Sequence, residues 1–358
     1  MSSPVFRLFA GCVPVRGARR STLCDLQRRE IHLIPNGLHE IVTTHRDRTR
    51  EELHALFGPG AAEVVDEYFA WLEEQELGFW CHDPESFPDL DLSWDAHERI
   101  TNAIVDVDAA SAHPFARIFE ELDELGCRAL QLRFFCDAPP ERVHQALAPT
   151  AATRLRSVEL IVKHGPGWSD DAIEALCRAH PRLMSVFVHS APERRVHRVL
   201  SGTVPVVFRT HAVTSEAHCG EVHPAYFRAT VPGFTEALAY NSCLNRKLAV
   251  DRRGEIRNCP ALPRSFGNVA DTSLHAAVLH RDFRELWEVN KDQVETCRDC
   301  EFRYVCTDCR AFVRDPGDRY SKPSKCTYDP YAATWEAPAP ATVPAVRTAP
   351  APASAAHA

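Results

Sequence analysis

The chain has no apolar run approaching the roughly 18 residues that a membrane-spanning helix needs, so no span is expected. It has no excess of basic charge: 41 Lys and Arg stand against 49 Asp and Glu, for a formal net charge of −8. A nucleic-acid partner needs a basic face, and none is expected. Glycine is scarce, at 15 in 358 residues, and no Gly-rich loop runs into Lys-Ser or Lys-Thr. That excludes a phosphate-cradling loop of this kind. The 18 histidines include no H-E-x-x-H zinc motif. The N-terminus, MSSPVFRLFAGCVPVRGARR, places a short apolar piece ahead of its arginines, the reverse of a secretory signal. A cytoplasmic protein is expected. In that compartment cysteines serve metals more often than disulfides.

Cysteine is abundant, with 14 in the chain and half of them in the last third. Cys243 and Cys259 bracket Gly254 as C-x10-G-x4-C. Cys297, Cys300, Cys306 and Cys309 follow as C-x2-C-x5-C-x2-C, and then Cys326. They stand among turn residues and charges, where ligands belong and core cysteines do not. Thiolates are soft donors, and groups of four hold zinc or iron–sulfur clusters. The turn Asp251–Gly254, between strands expected at Leu248–Val250 and Glu255–Arg257, brings Cys243 and Cys259 together. By contrast, Cys24, Cys127 and Cys177 lie in apolar periodic segments and read as core residues. Cys12, Cys81 and Cys136 lie near element ends, and a structural role is expected for them too.

The fold class read from the pattern is α/β, in three parts with a disordered tail. Residues 1–88 read as short strands, a hairpin turning at Gln27–Arg29, and three helices, the third over Ala61–Gln75. Thr49-x-x-Glu52 is a capping box opening the second helix. A wing strand is expected at Leu77–Cys81. The third helix carries Glu63, Asp66, Glu67, Glu73 and Glu74, a poor face for DNA. The segment resembles the winged-helix element by which enzymes of ribosomal-peptide maturation take up a leader peptide as an added strand. The resemblance implies Ile31, Leu33, Tyr68, Phe69 and Leu72 as the peptide-binding set. Residues 93–235 alternate apolar strands and helices of about ten residues, which predicts a partial parallel β/α barrel. A helix is expected at Glu193–Leu200. Asp106 and Asp108, leaving the first strand, are read as caps of the next helix, with a bound cation as the alternative. Residues 236–335 hold the cysteine block, and the Ala/Pro-rich residues 336–358 are expected to be disordered.

A strand–helix barrel feeding a C-terminal cysteine block resembles radical S-adenosylmethionine proteins that carry a SPASM domain. Those enzymes place C-x3-C-x2-C after the first barrel strand. Here that loop is Asp106–Ala112, without cysteine, and the motif occurs nowhere in the chain. No use of S-adenosylmethionine is expected. The combination resembles the SPASM domain peptide maturases of grasp-with-spasm systems. FRLFAGCVPVRGARRSTLCDLQRREIHLIPN, ELDELGCRALQLRFF, YNSCLNRKLAVDRRGEIRNCP, CRDCEFRYVCTDCRAF and SKPSKCTYDPYAATW carry the likeness. It implies a ribosomal precursor peptide and a separate ATP-grasp ligase as partners. It also implies two [4Fe–4S] clusters, with cluster II on Cys297, Cys300, Cys306 and Cys326. Cluster I would take Cys243, Cys259 and Cys309, with Cys219 as its fourth ligand, since Gly220 beside it allows close backbone approach. Trp287 and Trp335 would pack over the clusters. The C-x2-C-x5-C-x2-C spacing keeps zinc open as an alternative. An incomplete cluster acting as a catalyst is a second alternative, and a zinc-stabilised scaffold a third.

Overall fold

The computed structural model describes residues 3–336 and 346–349. The chain opens with β1 (Val5–Leu8), β2 (Cys12–Val15), β3 (Ser21–Asp25) and β4 (Glu30–Ile34), then α1 (Asn36–Thr43), α2 (Arg50–Phe57), α3 (Pro59–Glu74) and β5 (Gly78–Cys81). β2, β3 and β4 form an antiparallel meander. The Asp25 carboxylate closes the β3–β4 turn by accepting from the N–H groups of Gln27 and Arg28 at 3.0 and 2.9 Å. The capping box at Thr49 and Glu52 makes both of its hydrogen bonds. α3 buries Val65, Tyr68, Phe69, Trp71 and Leu72 against Leu23, Ile34, Leu38 and Leu53. β5 departs from the expected wing: it pairs with β1, not with the hairpin. Strand β2, unannounced by the pattern, is only four residues long and contains Pro14.

The middle of the chain is a mixed α/β layer. It runs β6 (Asn102–Val107), α4 (Phe115–Glu124), β7 (Ala129–Phe134), α5 (Pro140–Leu147), β8 (Ser157–Lys163), α6 (Asp170–Ala179), β9 (Leu183–His189), β10 (Arg195–Val199) and β11 (Val204–Phe208). α7 (Val231–Ala239), β12 (Lys247–Val250) and β13 (Ile256–Arg257) follow. The eight-stranded sheet has the order β10-β11-β9-β8-β7-β6-β12-β13. It is parallel from β11 to β12 and antiparallel at both outer pairs. Alternate residues explain its two faces. Val105, Val107, Leu132, Phe134, Leu160 and Val162 bury against α4, α5 and α6. Asn102, Gln131, Glu159 and Ser185 point to the other, concave face.

Two expectations are corrected here. Glu193–Leu200 is not a helix; Arg195–Val199 is the antiparallel edge strand β10. The three-residue spacing of Val196 and Val199 imitates a helical stripe, but Val196 is exposed and Val199 buried, as period two requires. Second, the sheet does not end near residue 235. β12 pairs with β6 in parallel, Lys247 opposite Asn102, so the cysteine region is welded to the sheet.

Beyond β13 regular structure is sparse: α8 (Leu274–Leu279), β14 (Tyr328–Asp329) and β15 (Thr334–Trp335). Of the tail, residues 337–345 and 350–358 lie outside the described residues. Val346–Thr348 depart from the expected disorder and form β16, parallel to β4. Among the described residues no helix is long and apolar enough to cross a membrane.

Polar contacts tie the front meander to the cysteine region. Glu301 is fully buried and accepts from Arg20 Nε at 2.8 Å and from the Tyr328 hydroxyl. Thr22 donates to the Glu301 main-chain carbonyl at 2.8 Å. Glu301→Ala leaves Arg20 and Tyr328 without their acceptor and is expected to cost about 3–5 kcal/mol. The exposed pair Arg178–Glu174 is worth less than about 1 kcal/mol. Thermal melts of Glu301→Ala and Glu174→Ala check this; equal melting temperatures would remove Glu301 as a tie.

Candidate metal centre

The structure draws Cys219, Cys243, Cys259 and Cys309 together from four separate segments. Cys243 follows α7. Its loop is set by Asn241, fully buried, whose side-chain oxygen accepts from the N–H of Cys243 at 3.1 Å and of Leu244 at 2.9 Å. The Asn241 amide donates to Asp308 at 2.9 Å, next to Cys309. Cys259 follows β13, and Asn258 holds that return by donating to the Leu244 and Lys247 carbonyls at 3.0 and 2.7 Å. Cys219 arrives on a loop whose Ala217 carbonyl accepts from Lys325 at 2.5 Å. Gly220 is what lets this loop approach. Its φ is +80°, and a Cβ there would stand 2.8 Å from Cys309 Sγ and 3.1 Å from the Phe312 ring.

Burial, and then Cys243, pushes the Cys259 thiol up to about 12. Burial and Cys243 likewise raise Cys309, and Cys219 acts on both. Lys247 donates to Cys243 Sγ at 3.3 Å. Burial alone would lower the pKa of its ammonium group; the sulfurs of Cys243, Cys259 and Cys219 outweigh burial and raise it.

Cys297, Cys300, Cys306 and Cys326 form a second set. A short turn at Cys297–Asp299 carries the first two, with Cys300 N–H donating to the Cys297 carbonyl at 3.0 Å. The Phe302 N–H donates to Cys300 Sγ at 3.5 Å. Burial pushes Cys297 up to about 12; Asp308, Cys306 and Cys326 add to this and Lys291 opposes it. Burial also raises Cys300 and Cys306, each within reach of its neighbours in the set. Lys291 is buried, donates to the Cys306 carbonyl at 2.7 Å and is raised against burial by Cys306, Asp308 and Cys297. Each set therefore has one lysine beside it. Sequence reasoning missed both lysines, and also Asn241 and the buried pair Asp308–Arg310 at 2.7 Å. Nothing in their spacing marks them.

Among the described residues no three His, Cys, Asp or Glu side chains converge on a point that would hold one metal ion.

The first set opens on a cavity of ≈ 920 Å³ against the concave face of the sheet, lined by Gln131, Glu159, Ser185 and Lys247. Just beyond, at the carboxyl ends of β6 and β7, Arg133 forms a two-pronged, buried pair with Asp106 at 2.5 and 2.7 Å. Burial raises the Asp106 carboxyl against the pull of Arg133. Neither Asp106 nor Asp108 caps α4, whose N-cap is Pro114. Asp108 instead accepts from Ser111 and Ala110 within its own loop. Trp335 packs on Tyr328 and Phe227 in the cluster that includes Cys300, Cys306 and Cys326; Trp287 packs on Phe283 in the sheet core. Cys24, Cys127 and Cys177 are core residues, as read, and burial lifts their thiols to about 12, 12 and 11.

The expected peptide-binding set is divided. The side chains of Ile31 and Leu33 pack with Phe234 of α7 and with Phe302 and Tyr328 of the cysteine region, whereas Tyr68, Phe69 and Leu72 fill the core on the other side of the meander. Alternation along β4 sends His32 and Ile34 toward α3, and Ile31 and Leu33 away from it. These side chains do not line one groove.

A scan against protein-family models and a search of the curated proteins both return no match to this chain.

Gly220→Ala is expected to lower stability by about 1–3 kcal/mol, from left-handed strain together with the contact on Cys309. Gly60→Ala, in α3 with open space around its Cβ position, is expected to be neutral or to stabilise by up to about 1 kcal/mol. Paired thermal melts check this; equal melting temperatures would mean that Cys219 and Cys309 do not depend on the close approach.

Proposed function

We propose that this chain is a peptide-maturation component of the grasp-with-spasm kind. It carries two [4Fe–4S] clusters, on Cys219, Cys243, Cys259 and Cys309 and on Cys297, Cys300, Cys306 and Cys326. It holds a ribosomal precursor peptide at its winged-helix-like front module for a separate ATP-grasp ligase. The observation that carries this is the gathering of eight of the 14 cysteines into two sets of four, each beside a lysine. A metal ligand must be a thiolate. Lys247 donates to Cys243 Sγ and Lys291 to the Cys306 carbonyl, so an anionic thiolate cluster in either place would have a cation beside it. When bound, such a cluster supplies one-electron transfer or a structural cross-link. The residues of the chain do the rest. Asn241 and Asn258 fix the first set's loops, the Phe302 N–H and Lys247 donate to sulfur, and Trp335 limits water at the second set.

The protein purified without oxygen is expected to be brown and to carry about eight irons and eight sulfides per chain. One or two zinc equivalents and no iron after anaerobic reconstitution would overturn the cluster assignment. Cys300→Ala and Cys306→Ala are expected to unfold the cysteine region, since metal-binding free energy there is folding free energy. Cys127→Ala should cost only about 1–2 kcal/mol. A Cys300→Ala protein with its metal and melting temperature intact would remove Cys300 as a ligand.

The chain is proposed not to use S-adenosylmethionine, because the end of β6 carries the Asp106–Arg133 pair where a third set of thiolates would be needed. Incubation with S-adenosylmethionine and dithionite should give no 5′-deoxyadenosine above a no-protein control. Its formation would sink this part of the proposal.

A further inference from the structure

The outer edge of β4 is occupied by the chain's own tail. β16 pairs with it in parallel, Val346 opposite Ile31, Arg347 opposite His32 and Thr348 opposite Leu33. The Ala349 N–H donates to the Leu33 carbonyl at 2.9 Å. Ala349 is 5% exposed and joins the apolar cluster of Tyr68, Phe69 and Leu72. The edge thus brings together two halves of the expected peptide-binding set in a way the side chains alone do not. Ile31 and Leu33 contribute main-chain groups, and the α3 residues receive the side chain that follows the added strand.

This edge needs an occupant. β4 lies between α3 and the cysteine region, and Ile31, His32, Leu33 and Ile34 are all buried. Main-chain N–H and C=O groups left unpaired in such a place are costly. The occupant present is a weak one. It is a three-residue parallel strand, Val-Arg-Thr, without an aromatic residue. It belongs to the same chain, and covalent linkage gives a segment an effective concentration on the order of millimolar.

We propose that the edge of β4 is a docking site for an extended peptide and that β16 is its resident, displaceable occupant. An incoming peptide replaces the tail strand bond for bond, so the edge is never left open. This rests on the peptide-recognition reading above. No covalent step is involved.

The test uses a fluorescein-labelled peptide of residues 341–354, ATVPAVRTAPAPAS, with the full chain, a chain ending at Glu336, and full-length Ala349→Asp, which would put a charge into the apolar cluster. The shortened chain and Ala349→Asp are expected to bind the peptide at least about tenfold more tightly than the unaltered chain. Equal binding, or none to any form, would overturn the proposal. So would unfolding of both altered forms, since β16 would then be a fixed part of the fold. A synthetic N-terminal half of the precursor encoded nearest the gene is then added as competitor. Displacement of the label supports both readings. Tail binding without displacement leaves the resident strand standing and removes precursor recognition. Precursor binding equal in the full and shortened chains keeps recognition and removes the tail as its competitor.

Discussion

Glu301 has no exposed surface, and its carboxylate is where distant parts of the chain meet. Arg20 reaches it from the β2–β3 turn and Tyr328 from β14. The contact needs room: a Cβ on Gly17 would stand 2.8 Å from the Glu301 Cβ, so the turn can lie flat against this residue only as glycine. Cys300 precedes it directly, so the group that joins front module to cysteine region also fixes the start of the second thiol set. Burying a carboxylate without partners is prohibitive, and burying it with a guanidinium and a phenol is tolerable only when all of them are present. The front meander, the cysteine block and the segment around β14 are therefore placed by one shared requirement, which a loop-rich region with few helices and strands would otherwise lack.

The same economy runs through the rest of the cysteine region. Regular elements are short there, and order comes from buried polar side chains that hold several main-chain groups each. Asn241 serves Cys243, Leu244, Val289 and Asp308; Arg310 serves Asp308 and the carbonyls of Arg319 and Ser321. Such networks specify one arrangement because a half-satisfied version is worse than none. They place the sulfurs and the two lysines that lie beside them.

Apolar runs bounded by turns made the strands from β6 to β8 readable, and one apolar face made the helices from α4 to α6 readable. The β12–β13 hairpin was readable from Gly254, whose φ of +85° suits few other residues. Gly220 was readable as a point of approach for the same reason. β10 was not, because two valines three apart match a helical stripe, and only the sheet shows that they face opposite ways. β16 was not, because a strand that pairs through its main chain leaves little mark in an Ala/Pro composition. The parallel seam between β6 and β12 was also hidden, since both strands read as apolar runs and nothing local says that they meet.

That seam joins Thr101 to Arg246, 145 residues apart. Loop-closure entropy makes such pairings late events in folding, and slow ones. The backbone that carries Cys243 and Cys259 cannot settle until β12 has reached β6. Throughout that interval these thiols have no partner sheet. The topology thus makes the placing of two thiols wait on a strand laid down at the far end of the layer, so a fault in β6 would be felt at Cys243 and Cys259.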